Sequence, residues 1–493
     1  MTNSLYYGDN LLVLRKHIPD ESVDLCYIDP PFNSKRSYNQ VYNNTGSEDR
    51  VRAHAFTDTW IWDAQAREGF EQLISNAEGR FSEQTIELIK GLRNVLKEGS
   101  LLAYLVSLTL RIVEIHRVLK PDGSFYLHCD PTASHYLKLV LDAVFASRGG
   151  EFQNELIWCY TIGGKSKTRF GEKHDVILFY TKSSKNTHTF NAQAASIARK
   201  SNSHMKVRID AEGRQFQVKT DRKTGKVYLY PVDAGKIAED YWTDIETLNR
   251  EDKERLGYPT QKPLSLLERI IGTSSNPGDV VLDAHCGCGT TIVAAQRLKR
   301  AWIGIDITYQ SISLVLRRLE SVFGKEETEG IVLNGIPLDM ESARALAHKR
   351  DDRVRREFEK WAVLTYTNNR AIINDTKGAD NGIDGIAYFL TGRNENARII
   401  FQVKSGGIKR SDIATLRSDM EREQAAIAVL ITLEKPTRQL QEEAEAAGLY
   451  RHERTGRSYD KIRIVTIQEI LEQDKRLDIP MSLEVLKRFR EIK

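Results

Sequence analysis

The sequence predicts an α/β protein of at least two units, and three observations carry that prediction. An apolar run, Val23 to Ile28, reads as a buried strand that stops at a stiff corner, Asp29-Pro30-Pro31-Phe32. A second run, Val280 to Asp283, passes through a glycine loop into a helix start at Thr290-Thr291, and a third, Trp302 to Asp306, ends in an acid. After about Glu341 the composition resets, and 493 residues exceed what one hydrophobic core usually supports.

Composition narrows the class. Charged residues make up 28% and the net charge is only +4, so a nucleic-acid partner has to be argued from local clustering. The five cysteines, Cys26, Cys129, Cys159, Cys286 and Cys288, sit mostly in apolar strand-like runs, and nothing resembles a secretory signal. Reduced, buried thiols in a soluble cytoplasmic protein are the expectation. The longest apolar stretch, Leu101 to Val113, is short and contains Arg111, so no membrane span is expected.

Taken in order, Leu11 to Leu14 follows Gly8-Asp9 as a short strand passing into a helix, with Asp9 as its cap. The Asp29-Pro30-Pro31-Phe32 corner comes next. Two prolines remove two backbone donors, so the Pro30 carbonyl is free to point into a cleft beside one carboxylate and one ring. That set suits methyl transfer to the exocyclic amine of a base, whose lone pair is delocalised into the ring. Asp29 and the Pro30 carbonyl would each accept one amino hydrogen while Phe32 stacks on the base. Residues Asn33 to Arg52 read as a long polar loop, a lid or substrate-gripping segment.

Helices are expected from about Trp60 to Lys97 and from Leu101 to Leu119, the latter with Arg111, Glu114 and Arg117 on its wet face. Ser124 to Cys129 reads as the next buried strand, and Asp130-Pro131 as a helix start. Two further strands, Glu155 to Tyr160 and His174 to Tyr180, flank a basic segment at Gly163 to Arg169, which lacks the first glycine of a phosphate loop. From about Thr181 to Gly257 apolar content falls. Arg199, Lys200, Lys206, Arg208, Arg214, Lys219, Arg222, Lys223 and Lys226 mix there with Tyr228, Tyr230, Tyr241 and Trp242, a combination suited to nucleic-acid phosphates and splayed bases. Its position favours a target-recognition insert.

The Leu264 to Ile271 helix follows Thr260-Gln261-Lys262-Pro263, and then comes the strand, glycine loop and helix of residues 280–291. Gly287 and Gly289 let backbone approach a ligand, and Asp306 lies at the spacing of a carboxylate that grips ribose hydroxyls. The third glycine of a dinucleotide fingerprint is missing, so a nucleoside with a charged, non-phosphate tail fits better, S-adenosylmethionine above all. His285, Cys286 and Cys288 could be read as metal ligands, but no second cluster lies at ligand spacing.

With these residues in view, the chain resembles the β-class DNA amino-methyltransferases over about its first 320 residues, in the permuted order that puts Asp-Pro-Pro-Phe before the cofactor loop. The shared pieces are Gly8-Asp9, Asp29 to Phe32, His128-Cys129-Asp130, Thr260 to Pro263, the Asp283 to Thr291 loop and Asp306. The resemblance implies a seven-stranded, mostly parallel, Rossmann-like sheet. It places Asp9 at the cofactor adenine, Asp306 at the ribose, and Gly287 and Gly289 with Lys262 at the methionine end, Asp283, Cys286 and Thr290 belonging to the same loop. His285 departs from the family, which commonly carries an aromatic such as Phe there. The implied partner is double-stranded DNA with its target base flipped out. Asp at position 29 leans toward adenine N6, while cytosine N4 uses the same geometry.

Residues 1–340 are thus expected to form the methyltransferase, 341–355 a linker helix, and 356–493 a separate domain. In that domain Gly378 to Gly385 leads one strand and Arg398 to Lys404 forms the next, with Gln402 and Lys404 on one face where Asp384 can join them. The pattern, with a later strand at Ala426 to Thr432, resembles Mrr-type nucleases of the PD-(D/E)xK group. That resemblance implies that Asp384 and Gln402, with Glu359 as an extra ligand, hold a divalent ion such as magnesium, and that Lys404 helps activate water. The whole reads as a restriction-modification or phage-defence enzyme in the cytoplasm of a prokaryote, associated with the nucleoid. A homodimer is among the states the sequence allows. The competing expectation is an N4-cytosine methyltransferase whose C-terminal domain binds DNA without cutting it.

Overall fold

The computed structural model describes residues 2–32, 36–43, 50–58, 60–161, 167–168, 170–185, 187–198, 206–233, 235–249, 251–256, 258, 260–348, 352–374, 382–391, 396–453 and 456–479. Its centre is a nine-stranded sheet. From one edge to the other the order is Tyr241–Trp242, Glu151–Cys159, His174–Thr181, Leu119–Cys129, Val23–Ile28, Val280–Asp283, Ala301–Asp306, Ser4–Tyr7 and Val332–Asn334. Only His174–Thr181 runs antiparallel to its neighbours. The mostly parallel sheet agrees with the sequence expectation, but the count of seven does not. The two extra strands are short edge additions of two and three residues, Tyr241–Trp242 and Val332–Asn334, too brief to show a period in the sequence.

Alternate residues of the central strands enter two different cores. Leu25, Tyr27, Tyr126 and Val281 face one, while Cys26, Ile28, Phe125 and Leu282 face the other. A parallel sheet covered on both faces needs this continuous apolar run, which is why those strands were legible. Helices Asn10–His17, Ala64–Ser75, Glu83–Leu96, Ser100–Val118 and Ser134–Phe145 contribute to the second core, and Leu264–Ser274, Thr290–Arg297 and Tyr309–Phe323 to the first.

Four expectations are corrected. Within the polar stretch read as a loop, Arg36–Asn43 pairs antiparallel with Arg50–Asp58. Strand-favouring residue types such as Tyr38, Val41 and Tyr42 are interleaved there with Asn and Gln, which hides the pattern. The Trp60–Lys97 helix is two helices, broken at Asn76, whose φ is 45° and whose side chain bonds the Phe81 backbone at both its N–H and its carbonyl. Glu114 is not on a wet face: it is 1% exposed and accepts from Arg15 (3.2 Å), Arg80 (2.9 Å) and Arg117 (2.7 Å), and Arg111 lies inside as well. The segment expected as one linker helix carries two, Met340–Ala347 and Asp352–Tyr366; the first opens on a capping box between Asp339 and Ser342.

In the basic insert, Lys206–Ile209, Gln215–Thr220 and Val227–Pro231 form a three-stranded antiparallel sheet; Arg199 and Lys200 lie outside the described residues. Its far end is built into the core, where Trp242 is buried and Ile245 accepts from Trp158 Nε1 at 2.8 Å. Further on, a five-stranded sheet runs Ile372–Ile373, Gly385–Leu390, Asn396–Lys404, Ile427–Thr432, Ile462–Thr466. Its helix Asp352–Tyr366 sends Phe358 and Trp361 into the apolar core that also holds Tyr309, Ile312 and Val315. Among the described residues, no helix is long and apolar enough to cross a membrane.

Candidate active site

A cavity of about 240 Å³ opens at the carboxyl ends of the central strands, where an open parallel sheet places its ligands. Asp29, Pro30, Pro31 and Phe32 line it, together with Asp9, Lys262, Asp283, Cys286, Gly287, Thr290 and Asp306. Of the residues expected from this part of the sequence, Gly289 alone is not on the wall.

On one side of the cavity, Asp29 receives the Lys262 ammonium at 2.6 Å, and that ammonium also lies 5.1 Å from the centre of the Phe32 ring. Lys262 is buried, so the pair is shielded from water. The segment that delivers Lys262 starts at Thr260 with φ 61°. A β-branched residue rarely adopts that conformation, which is the kind of local strain found at ligand sites.

On the other side, Gly287 donates its N–H to Asp306 Oδ2 at 3.0 Å, and Asp306 Oδ1 accepts from Thr308 N–H at 2.9 Å. Gly289 has φ 74°, and a Cβ there would stand 2.8 Å from Val315 Cγ2. Its glycine therefore serves the packing of the loop against helix Tyr309–Phe323, not approach to a ligand. Thr290 accepts from Arg318 at 2.9 Å, and Cys286 is buried with its N–H on the Ile305 carbonyl. Asp9 caps the Asn10–His17 helix as expected, accepting from Leu11 and Leu12 N–H, and pairs with Arg111 at 2.9 Å.

Carboxylates dominate the electrostatics. Burial pushes Asp283 up to about 7, and the neighbouring charges of Asp29 and Asp306 push the same way against bonds from Thr291 and His285. Asp306 is also raised, by burial first. Asp29 is matched by Lys262, but burial disfavours the charged forms of Asp283 and Asp306, and a ligand that brings a positive charge would relieve that. His285 is driven down to about 3 by burial and by Arg111, so it is a neutral ring. Among the described residues no group of three or more His, Cys, Asp or Glu side chains is arranged to hold a metal.

Several wall residues carry little mark in the sequence. Arg111, expected on a wet helix face, instead turns its guanidinium to Asp9, Asn10 at 2.5 Å and Ser107. The available signal was a lone arginine inside an apolar helix, which must find a buried partner. Trp60 and Tyr258 line the cavity too, with nothing in their local sequence to mark them.

In the five-stranded sheet, Asp384 Oδ2 accepts from Val403 N–H at 2.7 Å, and Gln402 donates its amide to the Gly382 carbonyl at 2.9 Å. Lys404 lies 3.4 Å from Asp412. Burial and then Glu359 raise Asp384 to about 7, and burial also raises Glu359. The structure thus gathers Asp384, Gln402, Lys404 and Glu359, with Gln402 Oε1 buried and unpaired among the described residues. These oxygens are of the type a hard cation takes, though Gln402 brings a neutral amide oxygen and no charge. The glycine-rich approach at 378–381 lies outside the described residues.

Comparisons with known proteins bear on both parts. A family model described as a DNA methylase, of the N6/N4 methyltransferase type, matches residues 23–317. A second, described as NACHT-associated inactive restriction endonuclease 1, matches residues 354–472. The chain is similar to the DNA adenine methyltransferase YhdJ of Escherichia coli K12, at 28% identity over 64% of this chain and 82% of that protein. It is 33% identical to the type II methyltransferase M1.MboII of Moraxella bovis over 41% of this chain and 75% of that one. Among solved structures, an M1.HpyAVI complex with SAM aligns with 64% of this chain and 99% of its own at 16% identity and a TM-score of 0.32. The C-terminal region is therefore restriction-endonuclease-like, and the expected magnesium-dependent cleavage gains no support from its relatives.

Proposed function

The chain belongs to the N6/N4 DNA methylase family, whose model covers more than half of its length, and from that premise we propose that it methylates adenine N6 in double-stranded DNA. The observation that carries this reading is the meeting of the Asp29 corner and the Asp283-to-Asp306 loop in one acid-lined cavity. S-adenosylmethionine, bound there, supplies a methyl group on a positively charged sulfur. Asp306, already fixed by Gly287 and Thr308, is suited to the ribose hydroxyls, and Asp9 to the adenine. Asp283, Cys286, Gly287 and Thr290 shape the loop around the rest, and Asp283 and Asp306 together offset the positive charge.

A target base reaches this cavity only by leaving the duplex, at about a few kcal/mol. Phe32 then stacks on it. Asp29 and the Pro30 carbonyl accept the two amino hydrogens, localising the nitrogen lone pair, and Pro31 keeps the corner rigid. Asp29 also takes the proton that the amine gives up on gaining the methyl group, while the bonding pair stays with sulfur. Lys262 is bound to Asp29 in the free protein, so it holds that carboxylate in place until the base arrives. Adenine is favoured over cytosine by Asp at position 29 and by the adenine methyltransferase among the relatives.

For the C-terminal domain we infer DNA holding without cutting. The inactive family that residues 354–472 match and the neutral Gln402 support that reading over a nuclease at Asp384, Gln402 and Lys404. Two assays test the pair of readings. Wild type should transfer labelled methyl to duplex DNA and not to RNA, and Asp29→Asn should lower the rate by about 10² or more. Plasmid incubated with magnesium or manganese should stay intact; cutting that Asp384→Ala abolishes would reinstate the nuclease.

A further inference from the structure

Phe32 does not stand alone at the corner. Its ring is stacked on the imidazole of His128, with centroids 6.0 Å apart and planes 24° from parallel. His128 is fully buried and comes from the neighbouring strand Leu119–Cys129, while Phe32 follows Val23–Ile28. Both ring nitrogens are engaged: Nδ1 with Tyr27 Oη at 2.8 Å, and Nε2 with Asp175 Oδ2 at 3.0 Å. Asp175 accepts in turn from Tyr160 at 3.1 Å, and the Trp158 ring meets His128 edge-on at 5.8 Å.

The proton positions follow from the partners. A carboxylate only accepts, so Nε2 carries a hydrogen toward Asp175. Tyr27, kept a phenol by burial and by nearby carboxylates, has a hydrogen to give, and Nδ1 is the acceptor it faces. The two bonds leave the ring on either side of Cε1 and the backbone tether holds it at Cγ; three such points fix its plane, and a tilt would carry both partners out of the plane in which the ring nitrogens bond. No step of the reaction described above uses any of these groups, yet burying Tyr27 and His128 with a half-buried Asp175 between strands is costly unless the arrangement serves something.

We propose that His128, clamped between Tyr27 and Asp175, is a positioning residue for the target base: it sets the plane of Phe32, and through Phe32 the height of the amine above the methyl donor. The clamp also reaches the other side of the corner. Tyr27 lies two residues before Asp29, and the Asp175 carboxylate is felt by Lys262, which Asp29 holds. One network thus orders both the stacking ring and the accepting carboxylate. This rests on the methyltransferase reading.

The test uses the full chain, unmethylated genomic DNA and labelled S-adenosylmethionine. His128→Ala should lower kcat by about 30-fold or more, because misplacing reacting atoms by about 1 Å costs on the order of 10²-fold. KM for S-adenosylmethionine and the calorimetric affinity for it should stay within about threefold, as neither His128 nor Asp175 lines the cavity and Tyr27, which does, is left unchanged. Asp175→Asn keeps the shape and loses the charge, and should give a smaller fall in kcat, again without a change in KM. It decides the matter if His128→Ala does not fold. A wild-type kcat in either folded variant, or an equal loss in kcat and cofactor affinity, overturns the proposal. No transfer by the wild-type protein would instead sink the methyltransferase reading, and the positioning role would fall with it.

Discussion

Asp283 is the residue whose chemistry is most exposed to test. Its folded-state pKa, about 7, lies above the ordinary carboxylate value, chiefly through burial. The folded chain therefore holds this proton more tightly than the unfolded one, so the associated stability is present at low pH and lost as pH rises through about 7. A cationic ligand shifts the balance the other way by favouring the ionised acid. Affinity for S-adenosylmethionine should thus rise with pH up to about 7, by at most about tenfold per unit, and Asp283→Asn should flatten the slope. Calorimetry across about pH 6 to 8 checks this, and a flat wild-type profile would contradict it. Asp283 was legible because it closes an apolar strand ahead of a glycine loop. Arg111 and Glu114 were not, since a charged residue's spacing along a helix does not say whether a distant chain segment supplies its partner; here Asp9 pairs with Arg111, and Arg15 and Arg80 with Glu114.

Among the elements, the loop between Val280–Asp283 and Thr290–Arg297 depends on Gly289. Gly289→Ala would press a methyl group on Val315 at positive φ, costing about 2–4 kcal/mol together. Adding Val315→Ala should recover the packing share and leave the backbone share, as read from urea unfolding; an additive double variant would show the contact to be unimportant. The insert is the other decisive element. Arg222, Lys223 and Lys226 are exposed at its outer turn, and neutralising all three should weaken DNA binding and flatten the slope of log affinity against log salt by up to about 3. An unchanged slope would take the insert out of the interface. Its basic and aromatic composition was visible in the sequence. That its tail, Tyr241–Trp242, is the edge strand of the main sheet was not, because a two-residue strand has no period to detect.

At the scale of the whole molecule, one apolar core runs from the main sheet through Tyr309, Ile312 and Val315 to Phe358, Trp361 and Phe401 of the second sheet. Glu357 joins them again, accepting from Tyr309 N–H at 3.0 Å just past Asp306. Calorimetric unfolding should therefore show a single transition that S-adenosylmethionine shifts upward as a unit, whereas two resolved transitions would mean the sheets are independent. The sequence marked both sheets by their apolar strands, but the seam between them is made of helix faces 40 to 50 residues apart, a pairing that periodicity cannot reveal. The central claim concerns the chemistry at Asp29, and its most direct test is mass analysis of nucleosides from duplex DNA incubated with the protein and S-adenosylmethionine. N6-methyladenine is expected, its yield cut by about 10² or more in Asp29→Asn; N4-methylcytosine in its place, or no methylated base at all, would contradict the role given to Asp29.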